Sequence, residues 1–164
     1  MDIYLKMDDV EGDVSSDGYD GCISVESFDF GVEGMSMAEM VNPLSNSSSA
    51  VLSGVTITKE TDKASAALFN LSCSGHRVEK ATISFLRQID DGSSAEYMGY
   101  VLDDVLIGSY SISKKPGVDT QPLETIKLVF EKIHFKYIVF DKKGVKKNLL
   151  RGGSDIAKGK KLKD

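Results

Sequence analysis

Between residues 124 and 140 apolar side chains alternate with polar ones, and the alternation changes phase once. Ile126, Leu128 and Phe130 fall on even positions, whereas Ile133, Phe135, Tyr137 and Val139 fall on odd ones. A period of two is the mark of a strand with one buried face. A one-residue slip at Glu131–Lys132 is what a β-bulge produces, and bulges let a sheet curl. A chain with this pattern near its end belongs in a curved, mainly antiparallel β structure.

The same period recurs upstream. Ile3, Leu5 and Met7 alternate with Tyr4, Lys6 and Asp8, and Phe28, Phe30 and Val32 share one side of a strand at about Cys22–Glu33. Val55 and Ile57 mark a short strand running into Lys59, and Ala81, Ile83 and Phe85 mark another. Residues 95–113 are too long for one flat strand, and Asp103–Asp104 and Gly108 are the places for a bend. Turn-rich segments separate these runs: EGDVSSDGYDG, IDDGSS and KKPGVDTQP. One stretch changes period. Ala64, Ala67, Leu68 and Leu71 occupy one helical face, which predicts a single helix over about residues 62–74. Thr61 or Asp62 could cap its start, and Gly75 suits a left-handed turn after its end. The fold class expected is therefore mainly β: a closed antiparallel β-barrel or sandwich with one lateral α-helix.

A length of 164 residues suits one domain, with 41% hydrophobic and 27% charged residues giving globular composition. Residues 1–141 read as that domain and 142–164 as a basic tail, part strand at most. The tail holds nine Lys/Arg against Asp155 and Asp164, hence +7, so a net charge of −5 leaves −12 on the body. No aromatic in the tail could stack on bases and the body repels phosphate, so no nucleic-acid partner is expected. A basic segment touching the acidic surface of a neighbouring subunit fits the asymmetry instead. No apolar run reaches the roughly 18–20 residues of a membrane-spanning helix, so no membrane insertion is expected. The acidic start MDIYLKMDDVEGD lacks the basic and apolar regions of a secretory signal.

The sequence carries few residues patterned for chemistry. Cys22 and Cys73 are the only cysteines, and His76 and His134 have no Cys or His at ligand spacing. No metal, cofactor or catalytic residue is expected, and the chain does not read as an enzyme. Gly31 to Met35, GVEGM, reads as a turn rather than a phosphate cradle. The pairs Asp90–Asp91 and Asp103–Asp104 cannot converge in a strand, where adjacent side chains diverge. Residues 34–50 fit no period and read as a long loop, in which Met35, Met37 and Met40 offer flexible apolar contacts.

The order of these features resembles the Hcp family of type VI secretion systems. The similarity is densest over residues 56–87, TITKETDKASAALFNLSCSGHRVEKATISFLR, with Thr–Lys, Asp–Lys–x–Ser and then Leu, small residue and Gly. Phe28-Asp29-Phe30-Gly31 resembles the family's aromatic–x–aromatic–Gly pattern, and residues 130–137 resemble its last long strand, bulge included. The chain departs near Gly153-Ser154-Asp155-Ile156, where the family carries aromatic-Trp-Asp. The resemblance implies a closed barrel, a homohexameric ring and rings stacked into a tube that leaves the bacterial cytoplasm without a cleaved signal peptide. It further implies spike, sheath and effector proteins as partners, and a contact role between subunits and rings for the loop, with Met35, Met37, Met40, Pro43 and Leu44 as the residues. A ligand-binding β-barrel and a phage-type tail tube protein are the competing readings.

Overall fold

The computed structural model describes residues 1–34, 51–89, 92–141, 144–156 and 160–162. Ten strands and one helix are described: β1 Asp2–Met7, β2 Ile23–Val25, β3 Ser27–Glu33, β4 Val51–Glu60, α1 Ser65–Ser74, β5 Val78–Gln88, β6 Ser94–Ser113, β7 Leu123–Val129, β8 Lys132–Phe140, β9 Lys146–Asp155 and β10 Lys160–Lys161. The strand at Val55 and Ile57 is longer than the sequence pattern suggests, because β4 continues back to Val51 through residues whose partners lie on β3.

The strands form two antiparallel layers that share β6. The main layer runs β10-β9-β8-β6-β5-β1-β2, and the second runs β6-β7-β4-β3. The first half of β6 pairs with β5 and β8, and the second half pairs with β7. The crossing falls at Asp104, whose backbone adopts φ 54°, and a register shift follows between Ile107 and Ser109 around Gly108. Both sites predicted for bends therefore carry them. The slip after Phe130 is equally real. β7 ends at Val129 and β8 starts at Lys132, while the Glu131 N–H donates to the Asp103 carbonyl at 3.0 Å to hold the corner.

The expectation of a closed barrel needs refinement. Among the described residues β2 pairs only with β1 and β3 only with β4, so the hydrogen-bonded ladder does not close at that corner. The two layers are joined there through the chain itself, at Glu26, whose N–H donates to the Thr58 carbonyl at 2.8 Å. A single residue cannot pair in both layers while the strand turns between them. The result is a sandwich bent at its corners.

The inner faces meet in one apolar cluster. Leu5, Ile23, Ile57, Ile83, Leu102, Ile126 and Leu128 are all wholly buried in it. Phe28, stacked on Tyr100 at 5.1 Å, and Phe30, edge-on to the same ring at 5.8 Å, extend the cluster towards β8. Burial of one such aliphatic side chain stabilises the fold by about 1.5–3 kcal/mol, which makes this cluster the principal source of cohesion.

Helix α1 lies against the side of the sandwich through Leu68, which is wholly buried, and Ala67 and Leu71, which pack partly on the core. Gly75 ends it at φ 63°, donating its N–H to the Leu71 carbonyl at 3.1 Å. Its start is later than residue 62. Asp62 accepts the Ala64 N–H at 2.9 Å and Ala64 takes the capping position, so neither Thr61 nor Asp62 caps the helix. Among the described residues no helix is long and apolar enough to cross a membrane.

Candidate functional site

The residues singled out from sequence scatter. Met35, Met37, Met40, Pro43 and Leu44 lie outside the described residues, as do Asp90 and Asp91. Gly31 stands inside β3 rather than in a turn, donating its N–H to Ser53 Oγ at 3.0 Å beside a register shift between Phe30 and Val32. Asp103 and Asp104 diverge: Asp103 meets His134 Nε2 at 3.0 Å, and Asp104 is exposed. His76 is exposed in the turn after α1. Cys22 is buried, which pushes its thiol up, and Cys73 is exposed; both are free. Among the described residues no group of His, Cys, Asp or Glu is placed to hold a metal.

What the fold does assemble is a set of surfaces. On the outer face of the main layer, residues from four neighbouring strands line a cleft of about 370 Å³: Lys80 of β5, Val101 and Asp103 of β6, His134 and Lys136 of β8, and Arg151 of β9. The register explains the meeting, because Thr82↔Val101, Val101↔His134 and His134↔Gly153 are successive partners across the sheet. Gly152 and Gly153 of β9 bring no side chain into the cleft, and Leu162 lies over Gly153. Gly99 makes a further constraint: a Cβ there would sit 2.7 Å from both Glu96 Oε1 and Lys136 Cε, so the Lys136–Glu96 ion pair at 2.9 Å crosses directly over it.

A second, apolar cleft of about 240 Å³ opens where the layers part, between Phe30 and Val32 of β3, Leu52 of β4, Tyr100 of β6, and Ile133 and Phe135 of β8. Val32 of its lining is exposed at 55%, and Val51, the register partner of Glu33, at 65%. The edges matter as well. β3 pairs on one side only, and β9 is covered by β10 only at Ser154 and Asp155 among the described residues. An uncovered edge offers its backbone to another chain unless charge discourages it, and Lys146, Lys147 and Arg151 supply that charge.

One constellation escaped the sequence reading. Lys59 and Glu124 are both wholly buried and joined at 2.6 Å. Lys59 Nζ also meets Asp62 Oδ1 at 2.8 Å and donates to the Glu60 carbonyl at 2.6 Å. Glu124 accepts from Ser65 Oγ at 2.9 Å and from the Tyr110 hydroxyl. Burial pushes the Glu124 carboxyl up, but the hydrogen bonds from Lys59, Tyr110 and Ser65 prevail and hold it below the usual carboxylate range. Burial and the Glu124 carboxylate push the Tyr110 hydroxyl up to about 12. The network ties β4, β6 and β7 to the start of α1. A signal existed: Lys59 keeps the phase of Val55 and Ile57, and Glu124 that of Ile126 and Leu128. Both were in register with the core.

Comparison with known proteins agrees with this architecture. A family model described as "Type VI secretion system effector, Hcp" matches residues 4–137. A solved structure described as a type six secretion system protein is 25% identical, covering 98% of this chain and 99% of its own, with a TM-score of 0.88. Hcp1 from Salmonella typhimurium is 22% identical, with 98% of each chain covered and a TM-score of 0.78. A type VI secretion system effector from Yersinia pestis is 21% identical over 94% of this chain and 99% of its own, at 0.72. The last two likenesses carry the fold alone. Among curated proteins nothing matches.

Proposed function

This chain belongs to the Hcp family of type VI secretion systems, and on that premise we propose that it forms the inner tube: six copies close into a ring, and rings stack. The observation that carries the reading is a family fold with a filled interior and with strand edges left uncovered among the described residues. A ligand-binding barrel needs space between its layers, where this chain has Leu5, Ile57, Ile83, Leu102 and Leu128 packed together. An assembly protein needs surfaces instead, and heterologous contacts between unlike surfaces are what close a ring. The tube is made in the cytoplasm and passed out with a spike, inside a sheath, and its lumen carries effector proteins.

The test is the mass and shape of the purified protein. Native mass spectrometry should give six times 17.8 kDa, and negative-stain images should show rings. A protein that stays monomeric at high concentration would overturn the proposal. The segment between β3 and β4 is proposed to make contacts between subunits and rings. Glu33 and Val51 are register partners, so a short glycine turn can replace residues 34–50 without straining the hairpin. That variant should keep its fold and lose stacking; unchanged stacking would reject the role.

A further inference from the structure

Opposite edges of the main layer carry opposite charge. The order β9-β8-β6-β5-β1 puts β9 and β1 four steps apart, or about 19 Å at the usual strand spacing. Beyond β1, the turn from Asp8 to Asp20 holds Asp8, Asp9, Glu11, Asp13, Asp17 and Asp20 with no Lys or Arg. All six are exposed. Lys63 engages Glu11 at 2.8 Å and donates its backbone N–H to Asp13 at 3.3 Å. Asp8, Asp9, Asp17 and Asp20 have no ion pair among the described residues.

The β9 edge is the complement. Lys146, Lys147 and Arg151 are exposed, and among the described residues only Lys147 has an ion-pair partner, Asp141 at 3.6 Å. In the adjoining cleft Glu96 occupies Lys136 and Asp103 meets His134, which leaves Lys80 and Arg151 facing the opening without an ion pair among the described residues.

We propose that the β9 edge of one copy receives the acidic turn 8–20 of the next, with carboxylates entering the cleft at Arg151. This rests on the ring reading above and names the surfaces that meet. A two-fold contact centred on either edge would set like charge against like, which repulsion opposes. A head-to-tail contact pairs the basic edge with the acidic turn, and a repeated head-to-tail contact is the kind that closes a ring. The lysines on β9 discourage strand addition at that edge, so the contact runs through side chains.

Two charge-reversed chains test this. One carries Lys146→Glu, Lys147→Glu and Arg151→Glu; the other carries Asp8→Lys, Asp17→Lys and Asp20→Lys. Each alone should run as a folded monomer at concentrations where the natural chain assembles, with folding followed by circular dichroism. An equimolar mixture should regain the ring mass, because every contact between unlike chains is then opposite in charge. The neutral set Lys146→Gln, Lys147→Gln and Arg151→Gln, milder towards folding, should raise the dissociation concentration roughly tenfold or more. Natural chain assembled and both reversed and neutral chains unaffected would overturn the pairing while leaving the ring intact. Folded reversed chains that fail to recover on mixing would overturn it too. A natural chain that never assembles sinks the ring itself, a result these variants cannot mimic.

Discussion

Lys59 on β4 and Lys146 on β9 occupy opposite circumstances within one molecule. Lys59 is wholly buried, and its donors meet Glu124, Asp62 and the Glu60 carbonyl. Lys146 is exposed and has no ion pair among the described residues. Removing a charge from water costs several kcal/mol, so a buried lysine persists only with every donor engaged. Its role is then fixed inside the fold, where it locks the start of α1 to β4 and β7. An exposed lysine keeps its hydration and does little for the monomer, so its charge remains available to a partner. The same residue type is structural in one strand and a contact in the other.

That contrast can be broken in order of expected effect. Lys59→Met strands Glu124 in the core and should cost about 3–5 kcal/mol in urea unfolding, whereas adding Glu124→Leu should recover a large part. A cost for the single variant below about 1 kcal/mol would show the pair to be solvated. Tyr110→Phe removes one hydrogen bond to the same carboxylate and should cost about 1.5–3 kcal/mol. Acid probes the network without mutation. Because folding depresses the Glu124 pKa, its contribution is complete above the ordinary carboxylate value of about 4.3 and is lost as pH falls through the lower folded value. The urea midpoint should therefore drop more steeply below that pH in the natural chain than in Glu124→Gln. Parallel curves would contradict the assignment. Arg77→Ala removes an exposed pair with Glu131 at 2.6 Å and should change stability by no more than about 1 kcal/mol. Reversing Lys146, Lys147 and Arg151 should move monomer stability by about 0.5 kcal/mol at most, yet abolish assembly.

Much of the fold is legible in the sequence. The phase slip after Phe130 marked the corner between β7 and β8, and the acidic pair at Asp103–Asp104 marked the place where β6 changes layers. Both are local: a shift in a period of two is visible within a few residues. The helix was legible in type, though not in its first turn, since Asp62 is drawn away to Lys59 and the Ala64 N–H. The candidate surfaces were harder. The contact loop rests on family likeness and lies outside the described residues. Of the surface argued from geometry, the tail's positive charge was plain in the sequence, but its position opposite the acidic turn was not.

By itself the sequence determined which side chains face inward, because alternation is a property of neighbours along the chain. It also set the sign of charge carried by each segment. Only the tertiary structure decided that Lys59 and Glu124, 65 residues apart, meet at 2.6 Å, or that a basic strand and an acidic turn stand at opposite edges of one layer. Strand order and register depend on pairings between distant segments, and no local period encodes which strand will lie beside which.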